Sequence, residues 1–317
     1  MSATKALLTG ATGLIGRHLV ARLDEPRVLA RSPAEATRQL GVHDAMAWDA
    51  AQAIPARALD GVDVVFHLAG DPVAGGRLTA AKKERVRDSR VLGTRNMVAA
   101  IRDARQRPRV LVCASAIGFY AARGDEELRE EATPGAGFLA DLCRDWEKEA
   151  LAASALGVRV VCARVGIVLA REGGALGSMR PVFQLGLGGP LGSGEQWMSW
   201  IHIDDVVGLL LHAAERAEVE GPLNVCAPHP SRNSDFARAL GQAMHRPAWM
   251  RTPAVALRMA LGEMADVVMA SQRVIPAKAA ATGYVFRFGS LEEALRDLLG
   301  PGHAAVHPAE SPHEVDP

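Results

Sequence analysis

The residues best suited by type and spacing to do chemistry stand near the start of the chain, in Thr9-Gly10-Ala11-Thr12-Gly13-Leu14-Ile15-Gly16. The glycines recur every third residue. They follow the short apolar run Ala6 to Thr9 and precede apolar residues at helical spacing from Ile15 to Leu23. In such a strand-to-helix turn each glycine has its own task. Gly10 permits the tight turn, Gly13 lets the main chain approach a pyrophosphate, and Gly16 allows close helix–sheet packing. The helix N-terminus adds N–H groups and a positive dipole. The pattern predicts a dinucleotide held at Gly10, Thr12, Gly13, Leu14 and Ile15.

The next strand decides which dinucleotide. An acidic residue about 20 positions beyond the glycines would bind an NAD ribose, whereas an arginine there receives the 2′-phosphate of NADP. The strand ends Leu29-Ala30-Arg31-Ser32-Pro33. Arg31 supplies the charge and Ser32 a hydrogen bond, so NADP(H) is the expected cofactor.

Positioning such a site takes alternating strands and helices. Strands are predicted at Arg27 to Ala30, Ala45 to Trp48, Val62 to Leu68, Arg109 to Ala114 and Val158 to Arg164, with helices at Ala80 to Ala104 and Phe138 to Leu156. The expected fold is α/β: a doubly wound parallel sheet of the Rossmann type with a smaller C-terminal substrate lobe. The dinucleotide-binding domain is assigned to residues 1–165 and the lobe to 166–299, with a strand at 222–226 returning to the sheet. Residues 300–317, rich in proline and histidine, read as a flexible tail. His303 and His307 there have helical spacing, but the flanking Pro301 and Pro308 oppose a metal-binding helix. The glycine-rich stretch Gly186 to Gly194 reads as ligand-approaching loops.

Composition narrows the partner. Thirty-six Lys plus Arg balance thirty-six Asp plus Glu, so no global field draws nucleic acid or an anionic membrane, and a small-molecule substrate is expected. Cys113, Cys143, Cys162 and Cys226 lie far apart with no zinc spacing, which predicts no metal and a reducing, cytoplasmic setting. No secretory leader and no membrane-spanning apolar run is evident.

Several further stretches carry a family likeness: Phe66 to Gly70, Ser89 to Thr94, Ser115 to Tyr120, Phe138 to Glu147, Gly188 to Asp205, Leu261 to Ala265 and Gln272 to Pro276. With the glycine turn they make the chain resemble an atypical extended-type short-chain dehydrogenase/reductase, of the epimerase/dehydratase-like subgroup of unknown substrate. The resemblance covers nearly everything but the tail. It implies cofactor contacts at Leu68, Ala69 and Gly70, at Ala114 and Ser115, and at Val165, Gly166 and Ile167. It also implies a substrate loop containing Gln196, Trp197, Trp200 and His202, unless those residues simply pack the lobes together. Asp204 and Asp205 behind that loop read as a helix cap.

The departures from that family bear on chemistry. Its members use a Tyr-x-x-x-Lys pair, and here the only tyrosines, Tyr120 and Tyr284, have Gly124 and Phe288 four residues on. Anchoring the expected helix on Glu147 puts Leu139 at the Tyr position and Cys143 at the Lys position, with Arg90 where an active-site Asn is usual. Ser115 and Tyr120 then remain as candidate catalytic hydroxyls, Tyr120 facing the pocket or else packed in its loop. Cys143 is either a reactive thiol or a filler. A nucleotide-sugar substrate would call for a basic clamp, with Arg77, Arg171 and Arg180 as candidates. Two functions follow as alternatives: an NADP(H)-dependent oxidoreductase or epimerase-like enzyme, or a non-catalytic NADPH-binding sensor or scaffold.

Overall fold

A computed structural model describes residues 5–300. Apolar strands alternate with helices as far as Val225. These strands are β1 (Ala6–Thr9), β2 (Arg27–Ala30), β3 (Ala45–Ala47), β4 (Val64–His67), β5 (Val110–Ala116), the short β6 (Glu127–Leu128) and β7 (Arg159–Val165). The helices between them are α1 (Leu14–Val20), α2 (Pro33–Leu40), α3 (Ala80–Asp103) and α4 (Phe138–Leu151). The lobe segment adds β8 (Ile167–Leu169), α5 (Gly174–Gln184), β9 (Trp197–Met198), β10 (Trp200–His202) and α6 (Ile203–Glu215). It continues with β11 (Gly221–Val225), β12 (Ser231–Arg232), α7 (Asn233–Ala243), α8 (Ala254–Leu261), α9 (Met264–Val268), β13 (Arg273–Val274), α10 (Ala277–Ala281) and α11 (Leu291–Leu299).

Seven parallel strands form the main sheet in the order β11-β7-β5-β4-β1-β2-β3. This is the doubly wound Rossmann-type α/β fold. The strands are apolar on both sides because both faces are covered. Leu8, Phe66, Val112 and Val161 pack with α1 and α6, while Leu7, Val65, Leu111 and Val160 pack with Met97, Ile101, Trp146 and Ala150 of α3 and α4. The strand order reverses between β1 and β4, so a crevice opens at their carboxyl ends, where open α/β sheets bind ligands. β11 joins the sheet beside β7, paired Asn224 to Arg164. A third apolar cluster holds the lobe together around Leu169, Phe183, Trp200, Phe236, Leu240, Phe288 and Leu295. The tail read at 300–317 lies, beyond Gly300, outside the described residues, as do His303 and His307. No described helix is long and apolar enough to cross a membrane.

The Thr9 hydroxyl pins the crevice together. Its oxygen accepts the N–H groups of Leu68 and Ala69, both at 3.1 Å, so its own proton goes to His67 Nδ1 at 2.9 Å. His67 is therefore neutral with its proton on Nε2, and burial holds it down to about 4 from the ordinary 6.5. The folded state takes up this proton only near pH 4, the unfolded chain near 6.5. Stability is thus fully present above 6.5 and lost as pH falls towards 4. Between pH 7.5 and 4.5 the parent should lose about 2–3 kcal/mol more than a His67→Gln variant, measured by urea unfolding. Parallel pH profiles for the two proteins would refute the assignment.

Candidate active site

Gly10 has φ +70°, and a Cβ there would lie 2.7 Å from the carbonyl carbon of Leu68. Only glycine lets the turn after β1 run against the end of β4. At Gly16 a Cβ would meet the Gly10 oxygen at 2.2 Å, which fixes how closely α1 seats on the turn. Thr12 and Gly13 are exposed, and Leu14 and Ile15 half-buried. The turn is therefore a main-chain cradle open towards the crevice. Leu68 and Ala69 line the crevice half-buried, and Gly70 is exposed at its edge. Arg31 and Ser32 are both exposed at the carboxyl end of β2, and Arg31 has no ion-pair partner among the described residues.

The carboxyl ends of β5, β7 and β11 carry a buried polar row: Ser115 is in register with Arg164, and Arg164 with Asn224. The Ser115 hydroxyl donates to Glu147 Oε1 at 2.6 Å. Arg164 donates Nε to the same oxygen at 2.9 Å and Nη2 to Oε2 at 2.8 Å, a bidentate pair with both side chains under 8% exposed. Arg164 Nη1 reaches the Tyr120 oxygen at 2.8 Å, and the Tyr120 hydroxyl in turn donates to Asn224 Oδ1 at 2.7 Å. Burial alone would lower the Arg164 pKa, but Glu147 overrides it and raises it.

This row corrects the expectation for Tyr120. Its side chain is 0% exposed, and burial pushes its phenol up to about 12, so it holds Arg164 and Asn224 instead of facing a pocket. Ser115, 4% exposed, is at the strand end with its proton turned to Glu147. Ala114, Val165, Gly166 and Ile167 are half-buried around the same strand ends. Gly166 also answers a packing need, because a Cβ there would lie 2.5 Å from the Ser199 oxygen. Cys143 is a filler: burial first, and the charge of Glu147 second, push its thiol up to about 11. Leu139 is half-buried, its Cβ 3.3 Å from where a side chain on Gly118 would begin.

The substrate-loop expectation is also largely corrected. Trp200 is fully buried in the lobe core, its indole N–H donating to the His229 oxygen at 3.0 Å. His202, 1% exposed, stacks on Phe288 and caps α6 by accepting the Asp204 N–H. Asp204 and Asp205 are not the cap. Asp205 accepts the N–H groups of Arg287 and Phe288 and so fastens the C-terminal segment, and Asp204 pairs with Arg287. Gln196, buried, braces the glycine-rich loop through the Leu191 oxygen. Trp197 alone of the four is half-buried, its indole bound to Asp125 and its ring under Arg232 and Arg273. The clamp is not assembled either, since Arg77, Arg171 and Arg180 each donate to main-chain carbonyls, of Met259, Gly300 and Arg171.

Glu147 and Arg164 are the site residues that motif reading passes over. The signal was available: a charged residue inside the apolar strand Arg159–Val165 must have a buried partner. Gln272 was visible only as part of a matching stretch. Its side-chain amide donates to the Ile117 and Ala121 oxygens and so holds the turn after β5, where Ala121 has φ +52°.

Comparison with known proteins agrees with this architecture. Residues 252–298 match a domain of unknown function, DUF1731. The epimerase family protein SDR39U1 homolog, chloroplastic, of Arabidopsis thaliana is 39% identical over 92% of this chain and 86% of its own. The solved structure of human epimerase family protein SDR39U1 with NADPH is 33% identical, covers 93% of this chain and 99% of that one, and has a TM-score of 0.82. The nucleoside-diphosphate sugar epimerase of Corynebacterium glutamicum is 34% identical over 94% of this chain and 59% of that one, with a TM-score of 0.75. Residues 6–226 match the NAD dependent epimerase/dehydratase family, and the chain belongs to that family, as an atypical short-chain dehydrogenase/reductase.

Proposed function

We propose that the chain binds NADP(H) in the crevice between β1 and β4 and acts as an oxidoreductase or epimerase-like enzyme on a small polar substrate. The observation that carries this reading is the open glycine cradle at the sheet's switch point with Arg31, unpaired among the described residues, at the end of β2. The NADPH in the human relative supports it. Gly10, Thr12, Gly13, Leu14 and Ile15 would hold the diphosphate, Arg31 and Ser32 the 2′-phosphate. Leu68, Ala69, Gly70, Ala114, Ser115, Val165, Gly166 and Ile167 would line the rest. NADPH is expected to bind about tenfold to a hundredfold more tightly than NADH, because a hydrogen bond to a charged group contributes about 1.5–3 kcal/mol. Arg31→Ala should close most of that gap. Superimposable NADPH and NADH titrations of the parent protein would overturn the preference.

When bound, the nicotinamide supplies hydride transfer. The chain's contribution is at Ser115. With its proton directed to Glu147, Oγ presents lone pairs and accepts a substrate hydroxyl proton while passing its own to Glu147 Oε1. Arg164 holds the Glu147 carboxyl in place through the bidentate pair. Ser115→Ala should lower turnover of a responsive carbonyl or alcohol about a hundredfold with NADPH affinity unchanged. Equal turnover by parent and variant would remove Ser115 from the chemistry. A second reading, a non-catalytic NADPH-binding protein, is favoured by how completely Tyr120, Glu147, Arg164 and Asn224 satisfy one another. Tight NADPH binding without turnover across a carbonyl panel would decide for it.

A further inference from the structure

Exposed apolar side chains are not scattered evenly over this surface. Of the ten large ones among the described residues, seven fall in two short segments: Val182, Leu185 and Leu187 at and just past the end of α5, and Trp249, Met250, Val255 and Met259 before and within α8. The two segments lie side by side. Arg246 Nε donates to the Gln184 oxygen at 3.1 Å, the Met250 N–H donates to the Gly188 oxygen at 3.2 Å, and a Cβ on Gly186 would lie 3.6 Å from Pro247 Cγ. Trp249 and Leu185 are each 74% exposed, Met259 72% and Val255 67%. Together the seven present on the order of 800 Å² to water. That exceeds the roughly 300–600 Å² of the largest patch on an ordinary monomer and matches the roughly 800 Å² that each partner of a stable complex buries.

Helix α8 points to what covers this face. Arg258 is its one charged residue, yet none of its residues is buried. A helix apolar nearly all round is ordinarily enclosed, so α8 lacks the surface that should lie on it. Val255 and Met259 are neighbours on one face, and at the same spacing Arg251 precedes them and Glu263 follows, all four exposed. The series reads cation, apolar, apolar, anion. Turned about a two-fold axis at its midpoint it complements itself: Val255 meets Met259 of the second copy, and Arg251 meets Glu263 of the second copy, twice over. Arg251 pairs with no carboxylate among the described residues, and Glu263, though bound to Lys83, has a side chain 64% exposed. A lipid surface fits less well, because an anionic membrane would attract Arg246 and Arg251 but repel Glu263 and Asp266, both more than 60% exposed. Helices α3 and α4 differ, since ion pairs within the chain, Arg87 with Asp145 and Arg95 with Glu149, link their exposed sides.

We propose that this face binds a second copy of the chain, the two α8 helices lying antiparallel about a two-fold axis between Val255 and Met259. Leu185 and Trp249 extend the contact beyond the helices. The pairing does not depend on the dinucleotide reading.

Sedimentation equilibrium of the full chain tests it, and a particle of twice the chain's mass is expected at micromolar concentration. Met259→Asp places an unpaired carboxylate at the centre of the contact and should weaken association about a hundredfold. Val255→Lys should do the same, and it decides if Met259→Asp fails to fold. Arg251→Glu sets like charges opposite one another and should weaken association about tenfold, whereas adding Glu263→Arg should restore it to within about threefold of the parent. Leu151→Asp, at an exposed apolar residue of α4, should leave association unchanged. A parent that stays monomeric up to about 100 µM overturns the proposal, as does a dimer that Met259→Asp or a folded Val255→Lys leaves intact. A dimer lost in Leu151→Asp overturns it too, by moving the contact to another face. Failure of Glu263→Arg to rescue Arg251→Glu overturns the antiparallel pairing of α8. A monomeric parent that sediments with phosphatidylserine vesicles assigns the face to lipid instead.

Discussion

A Gly13→Val protein is expected to fold as the parent does and to bind NADPH at least about a hundredfold more weakly. Gly13 has φ −73° and ψ 172°, a conformation valine adopts without strain, and its Cβ would stand 3.2 Å from the Gly10 oxygen. The added Cβ meets only that oxygen within 4 Å, a tight contact, at a helix N-cap where the change costs the fold about 1 kcal/mol. What it fills is the cradle. Losing two charge-assisted contacts to a diphosphate removes roughly 3–6 kcal/mol of binding. Gly16→Val is the contrasting variant. Its Cβ would sit 2.2 Å from the Gly10 oxygen and 2.7 Å from the Ala11 Cα, so it should unseat α1 and destabilise the whole domain. Circular dichroism and calorimetry on both variants separate the two effects. A folded Gly13→Val protein with parent-like affinity would show that no diphosphate approaches this turn.

Glu147→Ala is expected to destabilise the protein by about 3–5 kcal/mol, the usual cost of leaving one member of a buried ion pair without the other. Arg164 is 5% exposed and Glu147 7% by side chain, and no second carboxylate among the described residues pairs with Arg164. Tyr120 and the Glu130 carbonyl would still accept from Nη1, but Nε and Nη2 would be orphaned. Replacing both partners with methionine should recover most of the loss, because two apolar side chains of similar volume need no counter-charge. Urea unfolding of the single and double variants measures this directly. If Glu147→Ala unfolds within 1 kcal/mol of the parent, the row across β5, β7 and β11 is not the structural element described above. The double variant also bears on chemistry, since it leaves Ser115 in place and removes the carboxylate that takes its proton.

The sequence by itself was enough for the fold class and for the cradle. Alternating apolar runs and helical periodicities are local signals, and Gly10 and Gly16 are readable because each answers a main-chain demand that no other residue meets. Arg31 was legible for the same reason, as it follows directly from where β2 ends. The strand at Gly221–Val225 was visible as an apolar run, but its place beside β7 is a long-range pairing.

Only the tertiary structure decided which polar and aromatic side chains face the crevice. Tyr120 and Trp200 stand near strand ends and glycine loops, where a one-dimensional reading cannot separate lining from core. Tyr120 is turned inward by Arg164 and Asn224, which are 44 and 104 residues away, and Trp200 is enclosed when β10 pairs with β8. Glu147 and Ser115 meet across 32 residues because α4 crosses the end of β5. Arg90, unlike the other arginines of α3, is half-buried against Gly70 and pairs with no carboxylate among the described residues. Burial and charge pairing are properties of neighbours in space, so the chemistry of these residues is set by contacts that the chain makes only when folded.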